Sequence, residues 1–186
     1  MRKWLIGGIL IILVGGGVWV WMHYAHSGAA ADSEQNLPPY TVPALTNPYT
    51  NSTYGFSLKM PADFTVQETQ NQDDSGNANG ETIVLEDKAD NGIQIIISPF
   101  DEDTGDGYTL TKDRILQDVP DLQITDEQPL LVGPNYTGLA FKSNNDAFDG
   151  DSREVWFVYR GSLYQISTYA RLDDLLKAIF GTWQFE

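Results

Sequence analysis

The chain has 186 residues, with 26 acidic against 11 basic side chains and no cysteine. That length accommodates one ordinary domain of roughly 100–150 residues, and a net charge of −15 repels nucleic acid and anionic lipid headgroups. The missing thiols exclude a disulfide framework, a zinc–thiolate site, a cysteine nucleophile and the acylated cysteine of a bacterial lipoprotein.

In chain order, residues 1–3 read as a cytoplasmic tip carrying Arg2 and Lys3. Residues 4–22, WLIGGILIILVGGGVWVWM, hold no charge and at about 1.5 Å per residue are long enough to cross a hydrocarbon layer of roughly 30 Å. No basic residue follows until Lys59. The positive-inside bias therefore puts the N-terminus in the cytoplasm and everything beyond the helix outside it. Trp4 at one end, with Trp19, Trp21 and Tyr24 at the other, suits the two interfacial belts. Ala29-Ala30-Ala31 supplies an A-x-A site for signal peptidase, but the apolar run exceeds a signal peptide's usual core of about 7–15 residues. A single-pass signal anchor in the cell membrane is expected.

Residues 23–50, rich in small and polar side chains with Pro38, Pro39, Pro43 and Pro48, read as an extracytoplasmic stalk. The globular domain is expected over residues 51–186. There the texture becomes short runs of β-branched and aromatic residues: 54–60, 64–68, 81–85, 92–98, 122–125 with 129–132, 137–142, 154–159 and 162–169. Asn79-Gly80, Asn91-Gly92 and Arg160-Gly161 read as the turns of antiparallel neighbours. Two helices are expected. The first runs from Thr111 to about Asp118 and is stopped by Pro120. The second, Asp173 to Phe180, places Leu172, Leu175, Leu176, Ile179 and Phe180 on one apolar stripe, with Asp173 and Asp174 in its first turn and Gly181 as its C′ residue. Strands with helices set against one sheet make an α+β domain, mostly antiparallel.

Several features occur in order: YGFSLKMP (54–61), IQIIISPFDE (93–102), TKDRILQDVPDL (111–122), EVWFVYRGSLYQIST (154–168) and a closing helix that ends in FGTWQFE (180–186). This order resembles the PsbP-like domains, including small bacterial members anchored by a single helix. The resemblance implies an α/β/α sandwich with an antiparallel sheet flanked by helices, used for docking or assembly and not for catalysis. In the photosynthetic relatives such a domain sits on the lumenal face of photosystem II and supports retention of calcium and chloride. This chain departs from them in having its own anchor and a different N-terminal segment, and no site residue carries over.

Catalytic constellations are sparse. The only histidines, His23 and His26, lie at the membrane boundary, which removes a His-dependent triad or dyad. Ser57 and Lys59 share one face of a strand, and a solvated face is the plain reading. No phosphate-binding glycine loop is present. Trp156, Tyr159, Tyr164, Tyr169 and Trp183 read as core aromatics in preference to an exposed binding patch. The chain is therefore expected not to be an enzyme.

Calcium is the alternative. An EF-type loop needs oxygen ligands at positions 1, 3 and 5, glycine at 6 and a bidentate Glu at 12. DEDTGDG offers Asp101, Asp103 and Asp106 as candidate ligands, but puts Gly105 at position 5 and Lys112 at position 12. The acidic loops 73–80 and 144–151 offer further oxygens, the latter from Asp146, Asp149 and Asp151. The leading expectation is a membrane-anchored, non-catalytic docking domain with an unidentified protein or envelope partner and no cofactor. The alternative is a calcium-responsive binding module built on loops 73–80, 101–106 and 144–151.

Overall fold

The computed structural model describes residues 40–100, 102, 108–133 and 136–186. The expected membrane helix, 4–22, lies outside them. Among the described residues no helix is long and apolar enough to cross a membrane.

Among the described residues, ten strands and two α-helices follow in the order β1 (Leu45–Asn51), β2 (Phe56–Pro61), β3 (Thr65–Gln72), β4 (Ala78–Glu86), β5 (Gly92–Pro99), α1 (Lys112–Asp118), β6 (Thr125–Val132), β7 (Tyr136–Ser143), β8 (Ser152–Tyr159), β9 (Ser162–Tyr169), α2 (Asp173–Phe180) and β10 (Gln184–Phe185). Seven strands form one sheet in the order β3-β4-β5-β9-β8-β7-β6, and β1-β2-β10 form a smaller one. All pairings are antiparallel. The α+β class read from the pattern is the observed one.

Alternation along the central strands sends side chains into two cores. Ile93, Ile95, Ile97, Val155, Phe157, Tyr164 and Ile166 enter the larger, where they meet Phe56, Leu58 and Met60 of β2 and Leu175, Leu176 and Ile179 of α2. Trp156, Val158, Leu163 and Phe141 enter the other, closed by Ile115 of α1 together with Leu110 and Ile124. An eight-residue helix such as α2 is marginal alone. Its stripe holds it, since each fully buried Leu or Ile contributes about 1.5–3 kcal/mol. The other helix starts where Thr111 Oγ1 accepts from the Arg114 N–H at 3.3 Å. It ends at Asp118, two residues before Pro120.

Several local expectations need correction. The stalk expected to residue 50 stops earlier: Leu45–Asn51 is β1, and Tyr40, Val42 and Leu45 pack against the larger core. Pro48 looked like a stalk residue, but β1 is an edge strand, where a missing N–H is tolerated. Asn79-Gly80 is not a turn: both residues lie inside β4. Of the run 122–125 only Thr125 is strand: it opens β6, which continues through 129–132 and has φ +51° at Asp126. Gly181 caps α2 with φ −61° in the right-handed region, so it makes no left-handed C′ turn. The Arg160-Gly161 turn is as read, with φ of +46° and +71°, as a tight two-residue hairpin requires.

The β3–β4 and β4–β5 loops share one construction. Asp73 Oδ1 accepts from the N–H groups of Ser75 and Asn77 at 2.9 and 2.8 Å, and Asn77 Nδ2 donates to Asp73 Oδ2 at 3.1 Å. Asp87 repeats this with Ala89, Asn91 and Asn91 Nδ2 at 2.7, 2.9 and 2.9 Å. The fourth residue of each loop has positive φ, Gly76 at +81° and Asp90 at +59°. Left-handed backbone costs a residue with a Cβ about 1–2 kcal/mol, and Asp somewhat less. Asp90→Gly should therefore raise the unfolding free energy by about 0.5–1 kcal/mol and Gly76→Ala should lower it by about as much. Urea midpoints of the two variants check this.

Candidate functional site

The candidate calcium ligands Asp101, Asp103 and Asp106 lie outside the described residues. In loop 73–80 the carboxylate of Asp73 is occupied by the N–H groups that close the hairpin. In loop 144–151 Asp146, Asp149 and Asp151 are exposed, while Asn145 Oδ1 caps a 3-10 turn at Asp146–Phe148 by accepting from the Ala147 N–H at 3.1 Å. Among the described residues no three acidic, histidine or cysteine side chains gather as a metal site. Ser57 is half-buried and Lys59 exposed on the outer side of β2, with no hydrogen bond between them. The five aromatics read as core, Trp156, Tyr159, Tyr164, Tyr169 and Trp183, are all buried.

The densest polar assembly is one that the sequence reading did not single out. Glu154, in the middle of β8, is 1 % exposed. Its Oε1 accepts from Ser152 Oγ at 2.7 Å, Asn145 Nδ2 at 3.1 Å and Ser143 Oγ at 3.2 Å. Its Oε2 accepts from Trp156 Nε1 at 3.2 Å and from Ser167 Oγ. Pairing with β7 and β9 creates this ring, because Ser143 stands opposite Ser152 and Ser167 opposite Glu154. Next in the row is Gln94 of β5, opposite Ser167 and 3 % exposed, with its Nε2 lacking an acceptor among the described residues. The neighbouring cation, Arg153, alternates to the other face and pairs with Asp173 Oδ1 at 3.2 Å.

Five neutral donors converge on one carboxylate. A buried charge is tolerated when it is fully hydrogen-bonded, so the arrangement suits an anchor better than an acid or base. Through Asn145 it holds the acidic 144–151 loop to the sheet. The sequence signal was a Glu inside the apolar run EVWFVY, a strand whose neighbours on both faces are buried.

A second assembly joins the two sheets. Tyr49 Oη donates to Glu68 Oε1 at 2.5 Å, and Asn51 Nδ2 donates to Glu81 Oε2 at 2.7 Å and to Tyr49 Oη at 3.2 Å. Asn51 Oδ1 accepts from the Tyr54 N–H at 3.0 Å. Burial, then the bond to Glu68, pushes the Tyr49 hydroxyl well above the ordinary phenol range. Both carboxylates hold strands together. Asn51 opens the sequence Asn51-Ser52-Thr53, spelled like a glycosylation acceptor, yet it is buried with both amide atoms engaged. Asn135, first residue of the other such triplet, lies outside the described residues.

No family model matches the chain, and no curated protein matches it. The solution structure of cyanobacterial PsbP (CyanoP) from Synechocystis sp. PCC 6803 is similar over 81 % of this chain and 97 % of that one, with 12 % identity and a TM-score of 0.46.

Two outcomes follow. Glu154→Gln turns an amide N–H toward Asn145 Nδ2 or Trp156 Nε1, neither of which accepts, and should destabilise the domain by about 1–3 kcal/mol in urea unfolding. At Asp73, the Asn77 backbone N–H and then the Asn77 side chain hold the carboxyl below its usual range. A depressed carboxyl contributes stability above its unfolded pKa of about 3.9, and that contribution is lost as pH falls through the folded value. The melting temperature of the native chain should therefore exceed that of Asp73→Asn at neutral pH, and the gap should narrow below about pH 4.

Proposed function

We propose that this chain is a non-catalytic docking domain tethered at the outer face of the cell membrane through residues 4–22, with a protein or envelope component as partner. The observation that carries the reading is the organisation of the chain. An uncharged span long enough for a bilayer, preceded by Arg2 and Lys3, is joined by a proline-containing link to a domain with its own two cores. The domain's concentrated polar chemistry supports the same reading, since Glu154, Tyr49, Asn51, Glu68 and Glu81 are engaged in bonds within the fold. The order of its sequence features suggests the PsbP-like α/β/α arrangement, whose habit is assembly.

The outward charge sets the partner's chemistry. The chain beyond residue 22 holds nine basic residues against 26 acidic. Opposed potentials steer association and are screened by salt, so the partner surface is basic.

Deletion of residues 4–22 should move the protein from the membrane fraction to the soluble one. The full chain used as bait in native membranes should retain a basic partner at low ionic strength and release it at high ionic strength. Membrane retention of the deletion variant would overturn the anchoring, and no salt-sensitive partner would overturn the docking.

A further inference from the structure

We propose that Asn79 is a site of spontaneous deamidation, and that the fold protects the chain's other Asn-Gly pair, Asn91-Gly92. In this reaction the backbone nitrogen of the following glycine attacks the asparagine Cγ. The new N–Cγ bond forms as the Cγ–Nδ2 bond breaks, and the proton lost by the glycine nitrogen leaves with the amide group as ammonia. Water then opens the cyclic imide at either carbonyl, giving aspartate or isoaspartate. One water is consumed, one ammonia is released, and no other reactant is needed. Ring closure requires a free side-chain amide and a backbone able to bring nitrogen and Cγ into attacking geometry. Glycine as the next residue removes the Cβ that would hinder it.

Asn79-Gly80 meets both requirements. Gln70 stands opposite Glu81 and Gln72 opposite Ala78, so Asn79 and Gly80 together face Asn71 alone. This is a β-bulge, which leaves an extra residue outside the ladder. Pairing between β4 and β5 begins only at Glu81 opposite Ile97, one residue beyond the pair. Gly80 has φ +109°. Asn79 is half-buried, and its side chain makes no hydrogen bond among the described residues.

Asn91 is held at every polar atom. Its Nδ2 donates to Asp87 Oδ2 at 2.9 Å, and its Oδ1 accepts from Arg171 Nη1 at 2.8 Å. Its backbone N–H donates to Asp87 Oδ1 at 2.9 Å, and its carbonyl accepts from the Asp87 N–H at 3.1 Å. The nitrogen that would attack belongs to Gly92, already paired opposite Glu86 in β5. Cyclisation at Asn91 would have to break both side-chain bonds and lift the start of β5.

The product matters structurally. It places a new carboxylate on the strand that leaves the loop of Asp73 and Asp74, and the isoaspartate form adds a methylene to the backbone next to Gly80. That glycine already lies against β5, where a Cβ would meet the Ile97 carbonyl oxygen at 2.0 Å. Conversion therefore loosens the entry of β4 into the sheet.

Peptide mass mapping of the full chain, incubated at mildly alkaline pH with and without concentrated urea, tests this. In urea the two asparagines should convert at similar rates. In the folded chain Asn79 should convert faster than Asn91 by about tenfold or more. Asn79→Gln should abolish conversion at that position, and Asp87→Ala should speed it at Asn91. Equal folded rates, or faster conversion at Asn91, would overturn the proposal.

Discussion

The strand pair β8–β9 is buried on both faces, with apolar side chains entering one core at Val155, Phe157, Tyr164 and Ile166 and the other at Trp156, Val158 and Leu163. A sheet of that kind must be covered twice, and the chain path follows from the need. Between β5 and the far edge strand β6 in sequence comes α1, which lies on one face with Ile115 against Trp156, Val158 and Leu163. After β9 the chain turns back through a 3-10 turn at Ala170–Leu172 into α2 on the other face. The cover on that side is incomplete without β2, whose Phe56 stacks on Trp183 at 4.5 Å. The chain's last strand, β10, therefore returns to pair with β2 at Ser57 and Phe56, which closes the smaller sheet over the larger core.

Glu154 gives this doubly buried arrangement a unique register. Side chains alternate along a strand, so a one-residue slip of β8 would turn the carboxylate to the other face, away from Ser143, Asn145 and Ser167 and toward Ile166 and the α2 leucines. An ion moved into such a place without partners costs several kcal/mol. Apolar residues alone would penalise the slip less, because β8 presents large apolar side chains to both sides. Ser143, Ser152 and Ser167 belong to the same device: small hydroxyls on three adjacent strands that pack in a row and point at one acceptor.

Most of the large sheet was legible because its strands are long, β-branched and bounded by turn residues, and because the α2 stripe repeats at helical spacing. The two strands that were missed explain themselves. Β1 reads LTNPYTN, with one proline and no apolar alternation, and owes its pairing to β2. Β10 is only two residues long. The misplaced turn has a local cause: Asn-Gly is a strong hairpin signal, but here the Asp73 carboxylate collects three donors and fixes the turn five residues earlier. The same D-x-x-x-N spelling recurs at Asp87, so that turn was readable as a repeat. The Glu154 assembly was only half legible, since a buried Glu can be inferred from its strand but its donors come from strands brought together by pairing.

The domain also divides its charges in a way that bears on association. Several of its cations are paired at home: Arg114 with Glu102 and Asp118, Lys142 with Asp126, and Arg153 and Lys177 with Asp173. The more exposed pairs, Lys142–Asp126 and Lys177–Asp173, stabilise little, at about 0–1 kcal/mol each, but every pair removes a positive charge from what a partner meets. The acids outnumber them, and those in the 144–151 loop remain at the surface. The field outside the domain is therefore negative well beyond any single contact, fading over about 8 Å at physiological salt. Under the docking reading, a surface of this sign governs the rate and salt dependence of encounter more than its final strength. Affinity would then have to come from side chains that become buried at contact.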